Sequence, residues 1–328
     1  MHKTHHNPLK QIRSTPSEYH ISPELAAATH PNHDFRITII KRLSHSRFPI
    51  FLVKCEDKNL YFAMKVFKYT KSGEINEFYQ NEARFSFLHH PNIISIISTV
   101  DLQESHAGDV NFNISYILME LACLDFNELI NLPDFYLDEK LVRTYFHQLI
   151  EAMRYLRSHE IAHLDIKPEN LLLGPDYRLK LCDFDLSYQQ GDRNILSNGT
   201  IHFRAPELKN HQCQKPELAD IYSAGAVLFC MMLGHMPYLE NGKVRDRDMY
   251  DLLQNNQDEF WSIHEDISHR EQSKSFKELF ISMVNKEPEK RPTIEEIKKS
   301  AWYQGETYSQ SELEKIMKNI VSKINMNK

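Results

Sequence analysis

Two short stretches constrain this chain of 328 residues more than the rest of it: His163-Leu164-Asp165-Ile166-Lys167-Pro168-Glu169-Asn170, and Asp183-Phe184-Asp185 thirteen positions after Asn170. Asp183 and Asn170 supply the hard oxygen donors that a magnesium ion prefers. Asp165 supplies a proton acceptor, and Lys167 an ammonium to counter charge on a transferred group. Those are the needs of phosphoryl transfer, where a protein mostly positions the reactants and stabilises charge spread over phosphate oxygens. A lone Asp-x-Lys would be ordinary solvated surface, so the reading rests on what surrounds it.

The surroundings are specific. Phe62-Ala63-Met64-Lys65 reads as a strand ending in a lysine, and Asn81-Glu82-Ala83-Arg84 as a helical turn carrying a glutamate. Downstream follow Ala205-Pro206-Glu207, Asp220-Ile221-Tyr222-Ser223-Ala224-Gly225 and Lys290-Arg291-Pro292. In this order and at these separations the chain resembles the eukaryotic protein kinase family, serine/threonine type, over roughly residues 35–303. The resemblance implies an α+β bilobal fold, with a small β-sheet lobe bearing one helix (35–119), a hinge (120–122) and a larger, mainly helical lobe (123–303). It implies Mg²⁺-dependent transfer of the γ-phosphoryl group of ATP to protein serine or threonine hydroxyls.

Residue by residue, the resemblance makes Lys65 the grip on the α- and β-phosphates, Glu82 its partner, Asp165 the base, and Asn170 and Asp183 the Mg²⁺ ligands. Lys167 and Thr200 fit the serine/threonine type, with Thr200 hydrogen-bonded to Asp165 and Lys167. Nucleotide contacts fall on Leu43, Ser44, Ser46, Phe51, Ala63, Lys65, Met119, Glu120, Leu121, Ala122, Asp125 and Leu172, and Cys182 at the back of the pocket. Glu207 and Arg291 are expected to pair. Asp125 and Glu169 would attract an arginine upstream of the acceptor.

Three departures from the family pattern set the alternatives. In Leu43-Ser44-His45-Ser46-Arg47-Phe48-Pro49-Ile50-Phe51 no glycine remains over the phosphates, and Pro49 lacks an N–H donor. Phe51 should narrow the adenine slot unless the strand is shifted, and ATP binding should be weakened. Asp185 stands where a glycine is usual; its carboxylate is expected to face solvent rather than attract a second cation. Leu164 replaces an arginine, Phe78 and Tyr188 lie where the other phosphate-holding groups would be, and Leu196 lies near the usual phosphosite. The expectation is an activation segment ordered by apolar packing, with activity that does not depend on phosphorylation at Ser197 or Thr200. A pseudokinase or nucleotide-binding scaffold is the alternative reading.

Composition agrees with a folded enzyme. The apolar content of 41% suffices for a sizeable core, and the net charge of −6, with lysine and arginine scattered, gives no footprint for nucleic acid. The longest apolar run, Ala224 to Leu233, is short for a membrane span, and the His-rich start does not read as a signal sequence. Five cysteines without metal-type spacing suggest reduced thiols in the cytoplasm or nucleus. Residues 1–34 read as a disordered tail, where His2, His5 and His6 offer only a weak metal signal. At 304–328 an amphipathic helix is expected from the Ser309–Glu312 capping box and from Leu313, Ile316, Met317, Ile320 and Ile324 on one face. Covering exposed core is its simpler role, regulation the alternative. Nothing in the sequence fixes the oligomeric state.

Overall fold

The computed structural model describes residues 37–326, apart from 45–46, 57–58, 70–73, 108–109, 132–135, 196–198, 211–212 and 239–245. The expected tail, its histidines, and Ser46, Leu196 and Ser197 lie outside the described residues.

Alternating apolar residues build a five-stranded antiparallel sheet in the first third of the chain. Its strands are β1 (Ile37–Ser44), β2 (Ile50–Cys55), β3 (Leu60–Lys68), β4 (Ile96–Ala107) and β5 (Val110–Glu120), ordered β1-β2-β3-β5-β4. Period-two alternation gives each strand two faces. Ala63 and Phe67 of β3 join Ile117 and Met119 of β5 on one side; Met64 and Val66 join Val53, Tyr116 and Leu118 on the other. Helix α1 (Glu77–Ala83), N-capped by Asn76, packs Phe78 and Tyr79 onto the first of these faces.

Helical spacing takes over after β5. A short strand β6 (Leu124–Asp125) leads into α2 (Phe126–Ile130) and then α3 (Glu139–Ser158). The side chain of Asp138 accepts from Leu141 N at 2.7 Å and starts α3, whose Leu141, Tyr145, Leu149, Ala152, Met153 and Leu156 are all buried. Between α3 and the next long helix run β7 (Ile161–Ala162), β8 (Leu171–Leu173), β9 (Leu179–Leu181) and β10 (Tyr188–Gln189), with β6-β8-β9 and β10-β7 forming two small sheets.

Helix α4 (Pro216–Leu233) runs through the centre of this lobe. Proline in its first turn and Gly234 at φ 77° after its last residue punctuate it. Among the described residues it is the one helix long and apolar enough to cross a bilayer, but 83% of that window is buried inside the protein, so its apolarity serves the core. Around it stand α5 (Asp246–Asn255), α6 (Gln257–Ser268), α7 (Lys274–Met283) and α8 (Ile294–Lys299). Gly225 lets α4 and α7 touch: a Cβ there would lie 2.9 Å from that of Met283.

Helix α9 (Gln310–Met326) begins at the expected capping box, with Ser309 N donating to Glu312 at 2.8 Å and Glu312 N to Ser309 Oγ at 3.4 Å. Leu313 and Met317 are buried and Ile316 and Ile320 pack beside them, so the helix covers the large-lobe core. Gln310 also joins Arg178 (3.0 Å) and the Asp176 carbonyl (2.8 Å) on the β8–β9 turn.

The large-lobe core contains one acid-sensitive element. The stacked rings of His235 and His264 share a hydrogen bond of 2.9 Å, and His264 Nε2 donates to the Pro237 carbonyl at 3.0 Å. That donation leaves Nδ1 of a neutral His264 to accept from His235. Burial and the neighbouring His235 push the pKa of His264 down to about 3. The neutral ring's contribution is therefore complete above pH ~6.5 and is lost as pH falls toward about 3. Urea unfolding at pH 7 and pH 5 should show His264→Asn losing less stability over that interval than the parent, by about 1–2 kcal/mol. Parallel losses would contradict the assignment.

Candidate active site

The site begins with a buried carboxylate on α4. Asp220 accepts from the backbone N–H groups of His163 (2.6 Å) and Leu164 (2.7 Å). These bonds hold Leu164 at φ 64°, a left-handed conformation that a branched side chain adopts only when its surroundings impose it. Gly199, at φ 69°, lies against the same residue: a Cβ there would stand 2.4 Å from the Leu164 carbonyl oxygen, so glycine alone fits. The next residue is Thr200, and its placement follows from that contact.

Asp165 is buried with its carboxylate fully engaged. Oδ1 accepts from Thr200 N (2.9 Å) and Thr200 Oγ1 (2.8 Å); Oδ2 accepts from Lys167 Nζ (2.6 Å) and Asn170 Nδ2 (3.1 Å). Lys167 Nζ also donates to Thr200 Oγ1 at 2.9 Å. Burial opposes the charge on Lys167, but Asp165 outweighs it and holds the pKa above its ordinary value. His163 donates from Nε2 to the Cys182 carbonyl at 2.9 Å, leaving Nδ1 to accept from Asp165 N, and burial keeps its pKa low. Its ring meets Phe184 edge-on at 4.9 Å, and Phe184 meets Phe85 at 5.9 Å, a stack that crosses from one lobe to the other.

Lys65 lies at the opposite wall. Its ammonium is buried and pairs with Glu82 (2.6 Å), Asp183 and Asp185 (3.2 Å). Three carboxylates outweigh burial and hold the Lys65 pKa well above its ordinary value. One ammonium cannot balance three acids, however. Burial pushes Glu82 up to about 7 and, with Asp183 beside it, Asp185 up to about 6; Lys65 overcomes burial at Asp183 and keeps it low.

This geometry corrects the expectation for Asp185, which turns inward and is 8% exposed. The Lys65 ammonium, 3.2 Å away, draws the carboxylate inward but does not fully offset its lost hydration and the charge of Asp183. The oxygens of Glu82, Asp183 and Asp185 lie within 4.8 Å of one another, a set that could hold a metal ion, and the Lys65 ammonium bonds to all three. Asp183 and Asn170 also offer oxygens that could hold a divalent cation. The amide nitrogen of Asn170 is occupied by Asp165, leaving its carbonyl oxygen as a hard donor.

The apolar part of the cleft collects Ala63, Met119 and Cys182, with Ile50, Leu121 and Leu172 packed against them. The expected contact from Phe51 is not there. The turn from β1 to β2 is irregular between Arg42 and Ser44, Ser44 pairs with Ile50, and Phe51 lies on the far face of the sheet beside Met64 and Val66. A one-residue shift exchanges the faces of a strand, which puts Ile50 over the cleft. Phe48 folds under the turn, its ring 4.6 Å from Phe67, 5.7 Å from Phe78 and 5.5 Å below the Lys65 ammonium. Leu43 is exposed and Ser44 half-buried.

At the hinge, Glu120 N donates to the Ser95 carbonyl (3.0 Å), and its carboxylate binds Ser95 N (2.7 Å) and Lys180 (2.8 Å). Leu121 and Ala122 follow directly after this anchored residue. Asp125 caps α2 by accepting from Glu128 N at 2.7 Å, and burial raises its pKa to about 6. Glu207 and Arg291 form a bidentate pair at 2.6 and 2.7 Å.

The apolar cluster expected in the activation segment is not formed as one unit. Leu164 and Tyr188 belong to the large-lobe core and Phe78 to the small-lobe core. An ion pair bridges the lobes instead: Arg84 joins Asp192 through both nitrogens, at 2.7 and 2.6 Å. Asn81 donates to the carbonyls of Asp185 (2.9 Å) and Ser187 (2.8 Å). Asn81 and Arg84 stood inside a recognisable motif, but only Glu82 carried a chemical signal there. Asp192 lies in no motif.

Comparison with known proteins gives a match to the family described as protein kinase domain over residues 49–303. The chain is 29% identical over 228 residues to serine/threonine-protein kinase GRIK1 of Arabidopsis thaliana, covering 69% of this chain and 53% of the relative. To CBL-interacting serine/threonine-protein kinase 8 of the same plant it is 33% identical over 170 residues, 51% of this chain and 36% of the relative. To the SNF-related serine/threonine-protein kinase of Homo sapiens it is 27% identical over 249 residues, 74% and 30% respectively. The chain thus spans about half or less of the length of these relatives.

The crowding around Lys65 has a measurable sign. The folded-state pKa of Asp185 is raised, so this group's contribution to stability falls as pH rises from about 4 to about 6 and stays low above. Without nucleotide or metal, Asp185→Asn should raise the unfolding free energy at pH 7.5 on the order of 1–3 kcal/mol, and by less at pH 5. Chemical denaturation at both pH values measures it; destabilisation at pH 7.5 would show that Lys65 needs all three acids.

Proposed function

Because the chain belongs to the protein kinase domain family, we propose that it transfers the γ-phosphoryl group of ATP to serine or threonine hydroxyls of proteins. The observation that carries this reading is the Asp165 carboxylate, oriented by Thr200, Lys167 and Asn170 around a cleft with Lys65 and Asp183 on its other wall. Asp165 accepts the proton of the attacking hydroxyl as that oxygen bonds to the γ-phosphorus and the bond to the ADP oxygen breaks. Lys167, 2.6 Å from Asp165, stays charged beside the transferred group. Lys65 turns from its carboxylates to the phosphates, with Glu82 steering it. Asp183 and Asn170 would hold Mg²⁺, whose charge neutralises phosphate oxygens when it is bound.

Thr200 and Lys167 support serine or threonine as the acceptor, in line with the printed names of the relatives. The five unpaired cysteines support a reducing compartment, cytoplasm or nucleus.

One observation favours a second reading, a binding scaffold without turnover. Phe48 sits beside Lys65 in a turn without glycine, where its ring crowds the ammonium that phosphates would have to reach. Incubating the protein with labelled ATP, Mg²⁺ and a generic protein substrate separates the two. The parent should label serine or threonine, and Asp165→Asn should lower the rate by about 10²–10⁴-fold, the usual worth of a positioned base. An unlabelled substrate with nucleotide still bound supports the scaffold.

A further inference from the structure

The turn of α1 that carries Glu82 does a second job. Asn81, one residue before it, donates to the carbonyls of Phe184 (3.4 Å), Asp185 (2.9 Å) and Ser187 (2.8 Å). Arg84, two residues after it, grips Asp192 with Nη1 and Nη2 at 2.7 and 2.6 Å, and Nη2 reaches the Ser187 carbonyl at 3.4 Å. Asp192 in turn accepts from Gln189 N at 2.8 Å and donates its own N–H to the Gln189 carbonyl at 3.0 Å. Gln189 and Tyr188 pair with Ile161 and Ala162, the strand that enters the catalytic loop. The segment from Phe184 to Asp192 is therefore tied to the helix of Glu82 on one side and to the approach to Asp165 on the other.

The two-pronged contact is the geometry by which a guanidinium recognises a carboxylate or a phosphate. Here the anion is built into the chain. The Arg84 guanidinium holds the pKa of Asp192 below the usual carboxylate range, and the side chains are 33% and 25% exposed, so the pair is only partly screened by solvent. We infer that Arg84 and Asp192 are positioning residues that lock the Asp183 segment onto the Glu82 helix, so that Lys65, Asp183 and Asp165 are aligned without a phosphate on the activation segment. The inference rests on the proposed kinase reading for its rate consequences, but not for its structural ones. It replaces a regulatory addition of charge with a fixed one.

The test compares the parent with Asp192→Asn, Arg84→Lys and the exchange of charges in Arg84→Asp with Asp192→Arg. Intact mass confirms that each carries no phosphate, and thermal melting that each is folded. The expected result for Asp192→Asn is a kcat about 10-fold lower with peptide KM nearly unchanged, as for a small displacement of reacting groups. Arg84→Lys, which keeps the charge and loses the fork, should fall between, and the exchanged pair should recover to within about 3-fold of the parent. Amide hydrogen exchange over residues 186–192 should quicken in Asp192→Asn and slow again in the exchanged pair. Parental rates in Asp192→Asn, an exchanged pair no better than that single variant, or a parent that needs phosphorylation would each overturn the proposal. If the parent transfers no phosphate at all, the enzyme reading fails, and the clamp stands or falls on the exchange data alone.

Discussion

A single buried ammonium organises the space between the two lobes. Lys65 comes from the third strand of the sheet, Glu82 from the helix packed on that sheet, and Asp183 and Asp185 from the segment entering from the large lobe. Removing an ammonium from water is costly, and only carboxylates at hydrogen-bonding distance offset it. With three acids around one ammonium, the cage is over-supplied with negative charge, which added positive charge would relieve. The same imbalance that weakens the resting cleft is what, on the proposed reading, would suit it to an anionic substrate carried with a cation.

The opposite wall depends on a different constraint. Asp220, deep in the large lobe, takes two backbone N–H groups and thereby holds Leu164 in a conformation it would not adopt alone. Gly199 fits against that distorted residue and delivers Thr200 to Asp165. Each step is a close contact with little freedom, so the fold itself orients the Asp165 carboxylate. Phe85, Phe184 and His163 connect the walls by ring contacts, and the Arg84–Asp192 pair ties them at the surface.

Much of this was legible in the sequence because the chemistry restricts residue type. Asp165, Lys167, Asn170, Asp183, Lys65, Glu82 and Thr200 occupy motifs whose spacing brings them together, and the structure gathers them around one cleft. The change from alternating to helical periodicity after Met119 likewise marked the two lobes, although the exact strand register did not follow from it. Phe51 could be placed only by knowing that the β1–β2 register shifts between Arg42 and Ser44, since a shift of one residue exchanges the two faces. From sequence Asp185 reads as solvated, because an exposed carboxylate is the ordinary case; its inward turn depends on Lys65, 120 residues away in the chain. Asn81, Arg84 and Asp192 act through backbone carbonyls and a long-range ion pair, for which a sequence carries no spacing rule.

The central claim is that one cleft holds nucleotide and metal between Lys65 on one wall and Asp165 on the other. It is tested most directly by a crystal structure with Mn²⁺ and a non-hydrolysable ATP analogue, using the anomalous signal of manganese to locate the ion. The account predicts a manganese peak between Asp183 and Asn170, the γ-phosphate facing Asp165, and Lys65 moved from Asp183 to phosphate oxygens with Glu82 still paired to it. A cleft in which Lys65 keeps all three carboxylates, Phe48 stays beside it and no manganese is bound at Asp183 would contradict the account.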